Sequence, residues 1–191
     1  MAIAIVVDWM GPFSTVPEAQ KEIRDLGFGE GLYLALGSAK RKSGLQYVGI
    51  ASDLNNRVKP DHETLSTIRD LSLWVGEVAS HAVAGRGPAR RRLRFSRTVS
   101  LAEWATAYFL RMPLNDQLRR RPPPEALILV NRWFQHDFNT RRLQRPNPKW
   151  PDLIEYDGRG EGATIVWFGT RGRRTRLSPS DVADMARGPR K

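Results

Sequence analysis

Along residues 31–52 the character of the side chain changes at every second position. In GLYLALG (31–37), Leu32, Leu34 and Leu36 fall on one side, because the side chains of a strand alternate with period two. In LQYVGIAS (45–52), Val48 and Ile50 fit that same side. The other side carries Gly31, Tyr33, Ala35 and Gly37, then Tyr47, Gly49 and Ala51. A hairpin is expected, with an aliphatic core face. On its opposite face two phenols would stand on a shallow floor of small residues that a large ligand can approach closely. LSLWVGEVA (71–79) reads as a third strand.

The remaining pattern adds elements on both sides. Residues 2–7 are a continuous apolar run, expected to be a buried strand that Gly11 and Pro12 end. Thr15-Val-Pro-Glu18 resembles a capping box with proline in the first turn, and Gly27 is a natural helix stop. Ser52 and Asp53 are placed to cap a short helix over 54–58, which Pro60 interrupts. A second helical piece is expected over 62–68. A basic loop, GRGPARRRLRF (85–95), leads to a helix opening at Ser100, where Ser100-Leu-Ala-Glu103 repeats the capping pattern. Leu101, Trp104, Ala105, Tyr108 and Met112 form its apolar stripe, and Pro113 ends it. RRRPPP (119–124) reads as a linker or domain edge. Beyond it we expect a strand over 126–130, a glycine-turned hairpin in EYDGRGEGATIVWFG and a short helix over 178–185.

Charge narrows the class. The 191 residues carry 31 Lys and Arg against 20 Asp and Glu, a net charge of +11 and a pI near 10.8. That balance favours a polyanionic partner, nucleic acid first. Residues 116–191 hold 16 of the basic residues against 9 acidic ones, so the C-terminal part is the more basic. The absence of cysteine excludes disulfides and zinc–thiolate sites. No apolar run approaches the ~20 residues of a membrane span, and the first residues do not form a signal peptide, so a cytoplasmic location is expected.

The candidate chemistry lies in an ordered set. GLY at 31–33 and YVG at 47–49 are followed by Ser52, Asp53, Leu54 and Arg57. A third strand comes next, then a helix with Glu103, then Pro113 and Asn115. This set resembles the GIY-YIG endonuclease superfamily. The resemblance implies an α+β fold: a small three-stranded antiparallel sheet flanked by helices over residues 31–118. Residues 1–30 would add a strand and a helix, and 119–191 would be a basic extension, containing the hairpin, docked on the core. It also implies a DNA endonuclease that hydrolyses phosphodiesters with Mg²⁺ or Mn²⁺. By matching position, Tyr33 and Tyr47 are the motif tyrosines, Arg57 the phosphate clamp, Glu103 the metal ligand and Asn115 a supporting polar residue. His62 sits near a position where the family often has histidine or tyrosine, one residue late and beyond Pro60. Thirteen residues separate the two tyrosines, so SAKRKSG is expected to be an enlarged hairpin loop.

These residue types suit the chemistry. Negative charge builds on nonbridging oxygens during attack on a phosphodiester, and an arginine fork meets it bidentately. A carboxylate holds Mg²⁺ and leaves positions open for water and phosphate. A phenol near a cation loses its proton more readily and takes one from water. Lys40, Arg41 and Lys42 in the hairpin, Arg90, Arg91 and Arg92 in the basic loop, and Arg119, Arg120 and Arg121 before the prolines are the candidate DNA contacts. Phe95, Trp133, Phe134, Trp150 and Trp167 read as core rather than stacking platforms. Glu77 is an outside candidate for a second carboxylate. Other readings stay open: Glu103 as a capping residue only, His62 without a catalytic role, and a catalytically inactive nucleic-acid-binding module that keeps the fold. Restriction, mobile-element and repair roles are all compatible, as is a homodimer.

Overall fold

A computed structural model describes residues 2–83, 95–168 and 173–177. The strands are β1 (Ile3–Phe13), β2 (Gly31–Ala39), β3 (Lys42–Ala51), β4 (Arg69–Val83), β5 (Leu127–Phe134), β6 (Leu153–Tyr156), β7 (Ala163–Trp167) and β8 (Arg173–Leu177). They form one sheet in the order β3-β2-β4-β1-β5-β6-β7-β8. β1 pairs antiparallel with β4 and parallel with β5, and the other neighbours are antiparallel. Three helices accompany the sheet: α1 (Val16–Asp25), α2 (Leu54–Arg57) and α3 (Phe95–Phe109), with a 3₁₀ turn at Leu65–Thr67.

The expected small three-stranded sheet flanked by helices is overturned by this eight-stranded mixed sheet. β3, β2 and β4 do pair antiparallel, but they are one end of a larger structure. The cause lies in β1 and β4. β4 is 15 residues long, enough to hold β2 on one edge and β1 on the other. β1 is apolar on both faces. Ile5, Val7 and Trp9 enter one core cluster, while Met10 and Phe13 enter the other. Such a strand belongs in the interior, so its far edge is paired by β5. The N-terminal strand is therefore the centre of the sheet, and the C-terminal strands continue it.

Each face has its own core. Leu32, Leu34, Leu36 and Val48 join residues of β1, β5 and α3 in the larger cluster. Tyr33 and Ala35 point the other way and pack with Ile23 of α1, Leu54 of α2, and Leu65. The alternation read from residues 31–52 thus places its side chains as expected. The opposite face is not an open floor, because α1, α2 and the 3₁₀ turn contribute to a second core over it.

Local chemistry explains the ends. Thr15 Oγ1 accepts the Glu18 N–H and Glu18 Oε2 accepts the Ser14 N–H, so α1 begins at the expected cap. Gly27, at φ +69°, ends it. Gly11 and Pro12 do not end β1. They sit at a register shift between Met10 and Phe13, where a proline inside a sheet is tolerated. A Cβ on Gly11 would lie 2.9 Å from Leu73 O, so glycine is required there. The Trp9 indole N–H donates to Asn131 Oδ1, and Asn131 Nδ2 donates to Pro151 O, tying β1 to the chain before β6. The hairpin expected near the C-terminus is β6–β7. The helix expected over 178–185 lies outside the described residues. No helix among the described residues is long and apolar enough to cross a membrane.

Candidate active site

The site grows from the β2–β3 hairpin. The strands run to its tip, and the turn is only Lys40 and Arg41, with φ of 47° and 62°. The enlarged loop expected from SAKRKSG is instead strand. The extra length is absorbed by a bulge, since Ala35 faces Tyr47 but Leu36 faces Leu45. Gln46 is the unpaired residue. It is fully buried, and its Nε2 donates to Gly37 O and Lys42 O, both at 3.0 Å. The sequence reading passed over Gln46. A glutamine inside an apolar run was its only signal.

Register then sets the tyrosines. Tyr33 lies opposite Gly49, and Tyr47 opposite Ala35. A Cβ at position 49 would come within 2.5 Å of Tyr33 Oη and Cζ, so Gly49 is what lets the Tyr33 ring lie across β3. The two rings are 5.9 Å apart. Tyr33 is fully buried and Tyr47 half-buried.

α2 follows β3 and delivers Arg57. Asp53 caps this helix by accepting the Asn56 N–H. Arg57, exposed at the last turn, donates from Nε to Tyr33 Oη at 3.2 Å. Its terminal nitrogens make no hydrogen bond among the described residues. After Pro60 the chain turns back instead of continuing as helix, with His62 N–H bonded to Lys59 O. The helical piece expected over 62–68 is reduced to the 3₁₀ turn at Leu65–Thr67. That reversal brings His62 to the tyrosines. Its Nε2 is 2.8 Å from Tyr33 Oη, and its ring is 6.0 Å from that of Tyr47. The one-residue displacement and Pro60 do not keep it away.

The tautomer of His62 follows from its other nitrogen. Nδ1 accepts the backbone N–H groups of Thr64 (3.2 Å) and Leu65 (3.3 Å). An acceptor carries no proton, so in the neutral ring the proton is on Nε2. Tyr33 Oη therefore receives two donors, His62 Nε2–H and Arg57 Nε–H, and its own hydrogen is directed elsewhere. Burial lowers the basicity of His62 and the Arg57 charge lowers it further, so the ring is neutral at neutral pH. Burial, then Tyr47, pushes the Tyr33 hydroxyl well above the usual phenol range, with the Arg57 hydrogen bond opposing.

Glu103 comes from α3. This helix begins at Phe95, not at Ser100, so Glu103 is a mid-helix residue and not part of an N-terminal capping box. It is half-buried, and burial raises its carboxyl to about 7, with Arg57 opposing. No side chain among the described residues forms an ion pair with it. Among those residues no group of three or more His, Cys, Asp or Glu gathers around a common point. The fit to Mg²⁺ is thus that of one carboxylate, partly desolvated and without an ion-pair partner among the described residues, with the remaining positions left to water and phosphate.

Asn115 acts on the backbone. It is buried, its Oδ1 accepts the Val48 N–H at 3.0 Å, and its Nδ2 donates to Val48 O at 2.7 Å. Leu114 N–H also bonds to Gln46 O. β3 is an edge strand, and residues 114–115 pair its free edge beside Tyr47. Asn115 is a positioning residue.

The other candidates scatter. Lys40, Arg41 and Lys42 are exposed at the hairpin tip, with Lys40 4.0 Å from Asp116. Arg119 pairs with Asp116. Arg121 lies over the Trp104 ring at 5.7 Å, and Arg121 O accepts the Trp104 indole N–H at 3.0 Å. The RRR segment is thus laid against α3, with Arg120 and Arg121 exposed. Arg90, Arg91 and Arg92 lie outside the described residues. Glu77 faces Asp8 in the β1–β4 register, and Asp8 is engaged by Arg132. Trp133 and Trp150 are buried, as expected of core residues, whereas Phe134 and Trp167 are only partly so. Comparison with family models, with curated proteins and with solved structures finds no match.

Proposed function

We propose that this chain hydrolyses phosphodiester bonds in DNA, with Mg²⁺ or Mn²⁺ held at Glu103. The observation that carries this reading is the convergence on Tyr33 Oη of two N–H donors from separate turns, Arg57 and His62. Two donors aimed at one oxygen favour its anionic form and oppose, without outweighing, the burial that raises the phenol, so that form is a minor population. Tyr33 in that form takes the proton from the water that attacks phosphorus. The water oxygen bonds to phosphorus as the P–O bond to the leaving oxygen breaks, and that alkoxide takes a proton from solvent. The terminal nitrogens of Arg57 meet the nonbridging oxygens, where a planar fork binds bidentately. His62 holds the Tyr33 oxygen and, being neutral, adds no competing charge. Asn115 keeps Tyr47 and Gly49 in register beneath the phosphate. A bound divalent ion supplies charge stabilisation and acidifies water.

The test is nicking of supercoiled plasmid with and without Mg²⁺. Tyr33→Phe removes only the hydroxyl, so the single-turnover rate should fall by about 10²–10⁴-fold. Because the phenol is raised well above its usual range, the parent rate should climb with pH across 6–9 without a plateau from Tyr33. A near-parental rate for Tyr33→Phe would refute the proton-transfer role. A second reading, a nucleic-acid-binding module without catalysis, draws on the complete burial of the Tyr33 side chain. It requires DNA binding without nicking under any divalent ion.

A further inference from the structure

A cavity lies away from the tyrosines. It has a volume of about 590 Å³, and Arg141, Arg142, Arg145, Trp133, Leu143 and Phe168 contribute to its walls. Asp152 is the only carboxylate among its lining residues, and it is already engaged. It receives Arg145 at 2.7 Å and the Phe168 N–H at 2.6 Å. Arg142 is stacked 5.5 Å over Trp74, and neither it nor Arg141 forms an ion pair among the described residues. The Trp133 indole N–H is buried without an acceptor. The lining therefore offers donors and positive charge in excess of its acceptors.

The same cavity holds apolar surface that water meets. Leu26, Leu143 and Phe168 are the exposed large hydrophobic residues among those described, and two of them border this cavity. Phe168 is 54% exposed. An inorganic anion would use the arginines and leave the aromatic surface wet. An apolar ligand would leave the arginines without counter-charge. A nucleotide has both parts: a phosphate for arginine and a flat base for an aromatic ring.

Its position relative to the tyrosine site is set by register. Tyr33 pairs with Val75, Val75 with Met10, Met10 with Phe134, and Phe134 bridges to Arg141. Arg141 is thus four strand positions from Tyr33 along the sheet, and Trp133 of the cavity joins the core cluster on the face opposite Tyr33.

We infer that this cavity binds a single nucleotide unit of unpaired nucleic acid, its base against Phe168 and its phosphate on Arg141 and Arg142. The inference rests on the nuclease reading only for the expectation that the bound strand is a substrate. The site would hold an unpaired end, or a nucleotide displaced from a duplex.

The experiment uses the full chain carrying Glu103→Gln, so that nothing is cleaved. Fluorescein-labelled dT12 and a blunt 20-base-pair duplex are titrated by anisotropy. Arg141→Gln/Phe168→Ala removes one charge and one ring at exposed positions outside the core. Affinity for dT12 should fall about tenfold or more, the scale of losing one stacked base and one phosphate contact. Affinity for the duplex should fall less than threefold. dT12 should also quench tryptophan emission in the parent, through Trp133, and not in the variant. Equal dT12 affinity in the two proteins overturns the inference. So does competition by poly-glutamate as effective as unlabelled dT12, which would mean a general anion surface. If the chain with Glu103 intact never nicks DNA while the variant still loses dT12, the nuclease reading fails and this site stands.

Discussion

Replacing Asn115 by alanine tests how the tyrosine strand is held. The side chain makes two hydrogen bonds to one residue, accepting Val48 N–H at 3.0 Å and donating to Val48 O at 2.7 Å. Val48 is fully buried and Asn115 nearly so, so water cannot simply replace the amide. Each lost bond costs about 1 kcal/mol, and a buried N–H or C=O left unpaired costs about 1–3 kcal/mol. Partial relaxation of the edge strand offsets some of this, so the net loss should be about 3 kcal/mol. In a chain of this size that lowers Tm by roughly 6–12 °C. Urea unfolding followed by tryptophan emission measures it directly, and the six tryptophans give ample signal. Asn115→Asp sharpens the test. One carboxylate oxygen can still accept Val48 N–H, but the other faces Val48 O and can bond to it only when protonated. The folded state then binds the proton more tightly than the unfolded chain, so the aspartate pKa rises on folding. That stabilisation is present below the unfolded value of about 3.9 and is lost as pH rises through the folded value. Asn115→Asp should therefore approach the parent in stability near pH 4 and fall well below it at pH 8. A Tm for Asn115→Ala within 2 °C of the parent, or a pH-independent deficit for Asn115→Asp, would refute the edge-clamp account.

Two further outcomes follow from the site and the hairpin tip. Burial raises Glu103 to about 7, above the unfolded value of about 4.3, so its contribution is intact below that lower value and is lost as pH rises through about 7. Without divalent ions the parent should lose stability between pH 4.5 and 7.5 more steeply than Glu103→Gln. At pH 8, Mg²⁺ should raise the Tm of the parent but not of the variant; equal Mg²⁺ shifts would remove Glu103 as the ligand. Lys40 and Arg41 hold positive φ where Asn-Gly is preferred, so Lys40→Asn/Arg41→Gly should raise Tm by a few degrees while flattening the salt dependence of DNA binding. An unchanged salt slope would show that this basic tip does not touch phosphate.

Period-two alternation made the hairpin faces legible, because every second residue of 31–36 is leucine. The cap at Thr15 was legible for the same local reason. What failed was non-local. Pairing of β5 with β1 joins Ile3 to Leu127, and nothing near either residue marks it. The hairpin turn was misjudged because Lys40-Arg41 carries neither asparagine nor glycine, so both strands seemed to end early. The approach of His62 to Tyr33 is not legible because Pro60 marks a break in the helix but not the direction in which the chain resumes. The cap alternative for Glu103 falls because the helix starts at Phe95, which the capping pattern of Ser100-Leu-Ala-Glu103 does not reveal. Among the site residues, Tyr33, Tyr47, Arg57 and His62 meet directly, Glu103 is linked to them through the field of Arg57, and Asn115 supports them from the strand edge.

β1 is made before every other strand of this sheet, yet it occupies the middle. β4, on one of its edges, begins at Arg69, and β5, on the other, begins at Leu127. At about 5–20 residues per second, roughly 6–25 s separate the synthesis of Ile3 from that of Leu127. Through that interval an apolar strand has at least one edge bare, and its final partner arrives by slow long-range parallel pairing. β1 is therefore the first strand made but one whose second edge is paired late. The hairpin that carries the tyrosines can close early, but the platform beneath it is complete only after β5 has left the ribosome. Temperature and chaperone supply during synthesis should thus control the yield of folded protein more strongly than the stability of the finished sheet does.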